Sequence, residues 1–129
     1  MSTTDFVSPI WDISFSLFEH IRIQDLPNTE YTDFDMEMYK MVLAEAAKLA
    51  EETLAPLNAA GDREGCHWKD GRVHTPKGYK QAYKKYVEGG WQGLSIEAEH
   101  GGGGLPKPMA LAVVELFTGA CASFIMYFL

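Results

Sequence analysis

The chain has 129 residues, of which 47% are hydrophobic and 22% charged, and its formal net charge is -7. This length fits one domain, and the composition is too apolar for a disordered segment. The acidic balance and scattered basic residues exclude a protein that coats nucleic acid, since phosphates require clustered Lys and Arg. Two distant cysteines, Cys66 and Cys121, and an N-terminus without a signal-peptide pattern predict a cytoplasmic protein without a disulfide framework.

Residues 1–30 are predicted to form an N-terminal extension with one short helix, followed by a polar linker around Pro27. Asp12 or Ser14 is suited to cap this helix. Helical spacing predicts that one face carries its apolar residues, which are Ile13, Leu17, Phe18 and Ile21.

The clearest predicted helix begins near Thr32 and Asp35, whose spacing resembles a capping box. We expect Pro56 to end or kink it, with a loop or frayed turn after it. An apolar stripe at helical spacing predicts the buried face: Phe34, Met38, Val42, Ala46 and Leu49, with Met41 and Ala50 beside it.

The segment "CHWKDGRVHT" predicts a small hairpin, because Asp70-Gly71 is a favoured two-residue turn. Thr75 and Pro76 are suited to cap and open a third helix, which Gly89 and Gly90 would end. The expected buried face of this helix contains Tyr79, Ala82, Tyr83, Tyr86 and Val87.

Four glycines at 101–104 precede an apolar segment that starts at Pro106 and Pro108 and runs to Leu129. Its length would span a bilayer, but Glu115 would cost roughly 2.5–3.5 kcal/mol at the bilayer centre, and basic residues are missing after it. We therefore expect a helix buried in a larger protein and no membrane partner. The whole pattern predicts an all-α bundle of about four helices with a small turn-rich insertion.

Three polar patterns carry weaker alternatives. A glycine-rich loop before a helix can bind phosphate, but this loop lacks the Walker sequence, and prolines remove amide donors. Cys66, His67 and His74 do not have paired zinc-ligand spacing, so we expect no metal site. Glu97 and Glu99 beside His100 could perform acid–base chemistry, but a solvated loop explains them better.

Taken in order, these stretches resemble the N-terminal helical domain of the acyl-CoA dehydrogenase family. The matching stretches are "LAPLNAAGDREGCHW", "DGRVHTPKGYKQAYKKYVEGGWQGL", "EHGGGGLP" and the helix with Glu115. The opening "FVSPIWDISFSLFEHI" is similar to an extension in the 3-methylmercaptopropionyl-CoA branch of the family. Glu97-Ala98-Glu99, where the family commonly has Pro-Glu-Glu, and Gly103 depart from the family pattern.

The resemblance implies an FAD enzyme that oxidises acyl-CoA to trans-2-enoyl-CoA and passes electrons to an electron-transfer flavoprotein. It assigns residues 31–129 to the first of three domains. It also implies homo-oligomers when the enzyme is complete. The catalytic Glu and most of the FAD site would lie in a β-domain and a C-terminal helical domain outside this chain, so the chain alone should be inactive. Candidate substrate-binding residues are Phe124, Tyr127 and Phe128, and the alternative is that they are core residues in contact with the other domains.

Two other functions remain open on the sequence alone. One is a small helical interaction module with a C-terminal membrane anchor. The other is a standalone helical binding protein without catalysis.

Overall fold

A computed structural model describes residues 4–25 and 35–128 of the chain. Within these residues the fold is a helical bundle with one two-stranded hairpin, as the sequence predicts. The regular elements, in chain order, are α1 (Ile10–Ser14), α2 (Met36–Leu49), α3 (Ala55–Glu64), β1 (His67–Lys69), β2 (Arg72–His74), α4 (Tyr79–Glu88) and α5 (Lys107–Ile125). Wider π-helical turns extend α1 over Phe15–His20 and join α2 to α3 over Ala50–Leu54.

The N-terminal segment packs onto the bundle and shares its hydrophobic core through Ile13, Leu17 and Phe18. The expected cap is wrong, because α1 begins after Pro9 without a side-chain cap. Ile21 is also not buried, since half of it is exposed. The Ser8 amide donates to Glu51 Oε1 at 2.8 Å, which ties the segment to the turn between α2 and α3. The predicted linker around Pro27 and the predicted Thr32 cap lie outside the described residues.

The start of α2 is capped by Asp35, whose carboxylate accepts from the amides of Glu37 at 3.0 Å and Met38 at 3.3 Å. The expected apolar face is partly wrong, because Met38 and Met41 are exposed. The helix is instead rotated towards α5 and buries a stripe about one position further along. That stripe contains Tyr39, Leu43, Ala46, Ala47, Ala50 and Leu54.

Pro56 does not end the helix, and the loop expected after it is wrong, whereas the expected kink stays a prediction. The chain stays helical through α3 to Glu64. The π-helical turn over Ala50–Leu54 directly precedes Pro56, and Pro56 lies in the first turn of α3. A proline is tolerated there, because it lacks only an amide that has no intrahelical partner in a first turn.

The hairpin forms as expected, with Asp70 and Gly71 both at positive φ (52° and 75°) in its turn. Its register pairs His67 with His74, and both strands are exposed. The expected start of the third helix is wrong, because α4 begins at Tyr79 after a left-handed Gly78. Thr75 and Pro76 instead belong to the connection before it. On α4, Tyr79, Ala82 and Tyr86 are buried. Tyr83 and Val87 of the predicted face are exposed.

The glycine run folds back on the preceding 3-10 turns, Trp91–Gly93 and Ala98–His100. The amides of residues 102–104 donate to backbone carbonyls of Glu97, Gly93 and Ile96 at 2.8–3.1 Å. A Cβ at Gly102 would overlap the Ile96 carbonyl. The run therefore needs glycine for close backbone contact, and this contact turns the chain into α5.

Only one side of helix α5 is buried in the described bundle. By length and by a mean hydropathy of 1.7 it passes the test for a membrane-spanning helix, but half of it is buried inside the described bundle. Core helices of soluble proteins pass the same test. The buried half contains Met109, Ala112, Val113, Leu116, Phe117, Ala120, Cys121, Phe124 and Ile125. The exposed side carries Glu115, Thr118 and small residues beside Leu111, so the helix is amphipathic in this fold.

Candidate functional site

A small cavity lies between α4 and the C-terminal end of α5. Its volume is about 210 Å³, and its walls are almost entirely apolar. Because aromatic rings form most of these walls, we call it the aromatic pocket. Its lining residues are Thr75, Tyr79, Lys80, Tyr83, Phe124 and Tyr127.

Helical spacing explains one wall, since Tyr79 and Tyr83 are four residues apart on α4 and lie on the same face. The Tyr79 hydroxyl lies 2.8 Å from Ser123 Oγ and 3.6 Å from Cys121 Sγ on α5. Burial is the largest cause that raises the pKa of Tyr79. The phenol therefore stays neutral at physiological pH. Its hydroxyl links α4 to α5 through the contact with Ser123.

The facing wall comes from the end of α5. Phe124 is buried, and its ring centroid lies 6.0 Å from that of Tyr79. Tyr127 follows the last helical residue, Ile125, and meets Tyr79 edge-on with ring centroids 6.3 Å apart. Contact with Cys66, followed by desolvation, raises the pKa of Tyr127 to about 12.

The structure places two of the three predicted site residues, Phe124 and Tyr127, in the pocket lining. Phe128 lies behind the pocket and stacks on Tyr86 at 4.2 Å and on Tyr83 at 5.7 Å. It therefore supports the aromatic wall without lining it. Whether an acyl group contacts these residues stays a prediction.

Sequence reasoning missed the opposite wall, namely Thr75, Lys80 and the site role of Tyr79 and Tyr83. The tyrosine spacing on α4 was visible, but it indicated only a buried face. Their approach to α5 depends on the path of the chain between the helices, for which the sequence gives no local signal.

The aromatic pocket is suited to bind and not to catalyse. Among the described residues that line it, Lys80 is the only one with a formal charge, and none is a carboxylate or a histidine. Such walls bind a small apolar group through surface burial and aromatic contact. The pocket itself offers no carboxylate or imidazole base for proton abstraction.

The other polar patterns do not join this site. Carboxylate oxygens of Glu97 and Glu99 lie 3.6 and 3.5 Å from His100 Nε2, and all three residues are exposed. Exposed groups of this kind are common without a metal ion. His67 and His74 face one another across the exposed hairpin.

Comparison with known proteins identifies the family. Residues 36–129 match the family model for the acyl-CoA dehydrogenase N-terminal domain. The chain belongs to the acyl-CoA dehydrogenase family. It is 39% identical over 123 residues to 3-methylmercaptopropionyl-CoA dehydrogenase from Ruegeria pomeroyi. It is 31% identical over 124 residues to the broad-specificity linear acyl-CoA dehydrogenase FadE5 from Mycobacterium tuberculosis.

These alignments cover 92% and 93% of this acyl-CoA dehydrogenase domain, but only 20% of each relative. The chain therefore spans about a fifth of the length of the curated relatives it matches. The family model begins at residue 36. The two alignments cover more of the chain than this and therefore include part of the N-terminal segment. The sequence of that segment resembles an extension in one branch of the family. The boundary at residue 30 stays a prediction.

Proposed function

We propose that this chain is the N-terminal helical domain of an FAD-dependent acyl-CoA dehydrogenase. The complete enzyme oxidises an acyl-CoA to the trans-2-enoyl-CoA and passes electrons to an electron-transfer flavoprotein. The family match over residues 36–129 supports this function. Both relatives are, by name, dehydrogenases of CoA thioesters.

In this proposal the domain contributes one wall of the acyl-binding site. The observation that carries it is the aromatic pocket, where Phe124 and Tyr127 meet Tyr79. Such a wall removes the acyl chain from water and orients it. Phe128 supports the wall by stacking on Tyr83 and Tyr86. Orientation matters, because a weakly acidic α-carbon reacts only when the base and the hydride acceptor are both positioned.

The described residues do not fit an FAD diphosphate on their own. The glycine amides that could have formed a phosphate cradle donate to backbone carbonyls instead, and the aromatic pocket is almost entirely apolar. In our proposal, residues outside this chain therefore make most of the contacts to FAD. When bound, FAD would accept the hydride. The catalytic Glu also lies outside this chain in our proposal, and the chain alone is expected to be inactive.

The pocket favours small or branched acyl groups. Large rings confine it to about 210 Å³, and four aromatic side chains surround the space. One relative is named for 3-methylmercaptopropionyl-CoA, a short acyl group with a thioether. Thioether sulfur makes favourable contacts with aromatic rings, so a short chain of this kind suits the walls.

We also propose that the complete enzyme is a cytoplasmic homo-oligomer. The described bundle supports an aqueous setting, because half of its most apolar helix is buried against other helices.

The test uses the complete enzyme that carries this domain, assayed with butanoyl-, hexanoyl-, octanoyl- and 3-methylmercaptopropionyl-CoA. We expect reduction of an electron-transfer flavoprotein or an artificial acceptor, fastest with the short substrates. Tyr127→Ala should raise kcat/KM for octanoyl-CoA relative to butanoyl-CoA by about 10- to 200-fold, as expected for pocket contacts worth about 1–3 kcal/mol. No reduction with any acyl-CoA would contradict the proposed function. An unchanged length preference in Tyr127→Ala would contradict only the role of Tyr127.

A further inference from the structure

Tyr127 lies between two cavities. One is the aromatic pocket. The other, which we call the polar groove, has a volume of about 710 Å³ and opens between α3 and α5. Tyr79 and Tyr127 line both cavities, so their rings form the partition. The other residues of the groove include Asn58, Asp62, Cys66, Pro76 and Ser123.

The two rings of the partition are held very differently. Tyr79 is 5% exposed and begins α4, and its hydroxyl is bonded to Ser123. Tyr127 is 53% exposed and lies past the last residue of α5. A half-exposed side chain has more rotational freedom than one packed in the core. Tyr127 is thus the part of the partition that can move.

Cys66 contacts this movable ring from the opposite side of the groove. Its Sγ lies 3.6 Å from Tyr127 Oη, although the two residues are 61 positions apart in sequence. Cys66 sits in the short connection between the end of α3 and β1, where Gly65 has a positive φ of 67°. The backbone of Cys66 is therefore positioned by α3 and β1, and its exposed side chain lines the groove. The same contact is the largest cause that raises the pKa of Tyr127.

We propose that Cys66 is a positioning residue that latches the Tyr127 ring across the boundary between the aromatic pocket and the polar groove. With the latch in place, the aromatic pocket ends at Tyr127 and admits short acyl groups. Without it, the ring turns outward and a longer chain extends into the groove. The inference rests on the proposed function for its substrate, and Cys66 itself contacts no substrate.

The size of the effect follows from the strength of the contact. A single net hydrogen bond changes a two-state population by roughly two- to tenfold, and a thiol is a weak partner. We therefore expect a change of about fivefold or less in length preference when the latch is removed.

The kinetic test measures the ratio of kcat/KM for octanoyl-CoA to that for butanoyl-CoA in the complete enzyme. Cys66→Ala should raise the ratio about threefold to fivefold, whereas Cys66→Ser should restore it to within about twofold of the native value, because a hydroxyl can replace the thiol. Val73→Ala, on the exposed hairpin next to this connection, controls for general disturbance and should leave the ratio unchanged. The latch is contradicted if Cys66→Ala leaves the ratio unchanged, or if Val73→Ala changes it equally.

A structural readout makes the latch testable even if no acyl-CoA is oxidised. In the complete enzyme labelled with 3-fluorotyrosine, the Tyr127 resonance is assigned by comparison with Tyr127→Phe. We expect it to shift and sharpen in Cys66→Ala as the ring gains freedom, and to return in Cys66→Ser. An inactive enzyme with this NMR response defeats the proposed function and supports the latch. A Tyr127 resonance unaffected by Cys66→Ala defeats the latch whatever the activity.

Discussion

The Tyr79 hydroxyl lies 2.8 Å from Ser123 Oγ, and this bond joins the first residue of α4 to the last turn of α5. The two residues are 44 positions apart in sequence. The bond fixes the angle at which the aromatic walls of the pocket meet, because Tyr79 also packs against Phe124 and Tyr127.

Tyr79→Phe should lower the free energy of unfolding by about 1 kcal/mol, because it leaves Ser123 without this partner. Urea unfolding followed by circular dichroism measures the change. Tyr83→Phe is the matched control, since Tyr83 is on the same helix but half exposed; it should change the free energy by less than about 0.5 kcal/mol. Equal effects of the two substitutions would show that the Tyr79 bond does not stabilise the fold.

Stability should fall in alkaline solution because the fold raises the pKa of Tyr86, which is buried, and of Tyr127, which is half exposed. Burial raises the pKa of Tyr86 above 10.0, and contact with Cys66 together with burial raises that of Tyr127 to about 12. A raised pKa in the folded state means that the unfolded chain loses its protons first. The stabilisation is thus complete below about pH 10 and is lost as pH rises through the folded-state values towards 12.

The measurement is the urea midpoint at pH values from 8 to 12. Tyr86→Phe should flatten the decline above pH 10, since it removes one of these groups. A midpoint that rises with pH in this range would contradict the sign of the effect.

The rotation of α2 predicts which of two neighbouring apolar residues matters. Leu43 is 0% exposed and Met41 is 65% exposed. Leu43→Ala should therefore cost about 2–5 kcal/mol of unfolding free energy, because it leaves a cavity. Met41→Ala should cost less than about 0.5 kcal/mol. Thermal or urea unfolding measures both losses of stability. A larger loss for Met41→Ala would show that the apolar face expected from the sequence is the buried one.

Within the glycine run, Gly102 should be more sensitive than Gly103 to the addition of a Cβ. A Cβ there would overlap the Ile96 carbonyl, whereas at Gly103 it would come within 3.0 Å of the Leu94 carbonyl. Gly102→Ala should cost about 1–3 kcal/mol, because the backbone must shift, and Gly103→Ala should cost less. Unfolding free energies of the two variants give the comparison. A larger loss at Gly103 would show that the loop is packed differently.

The exposed side of α5 provides a test against a membrane anchor. Leu111 is 67% exposed, so Leu111→Glu should leave the unfolding midpoint nearly unchanged. We expect both the native chain and this variant to stay in the supernatant after high-speed centrifugation without detergent. Native chain that pellets and is extracted only by detergent, with Leu111→Glu released, would support the anchor.

The sequence by itself determined the helical class, the hairpin turn and the family. The hairpin turn depends on local chemistry, because Asp70-Gly71 accepts positive φ at both turn positions. The end of α4 at Gly89 and Gly90 is of the same kind. The resemblance also indicates Phe124, Tyr127 and Phe128 as substrate-binding candidates, and this stays a prediction.

Only the tertiary structure decided which face of α2 is buried, how the chain passes Pro56, and where α4 begins. Two apolar stripes run along α2, and packing against α5 chose the one with Leu43. The second wall of the aromatic pocket has the same origin, because Tyr79 meets Ser123 and Tyr127 only when α4 and α5 pack. Local sequence sets local backbone preference, but contacts between distant residues depend on the free energy of the whole packed core.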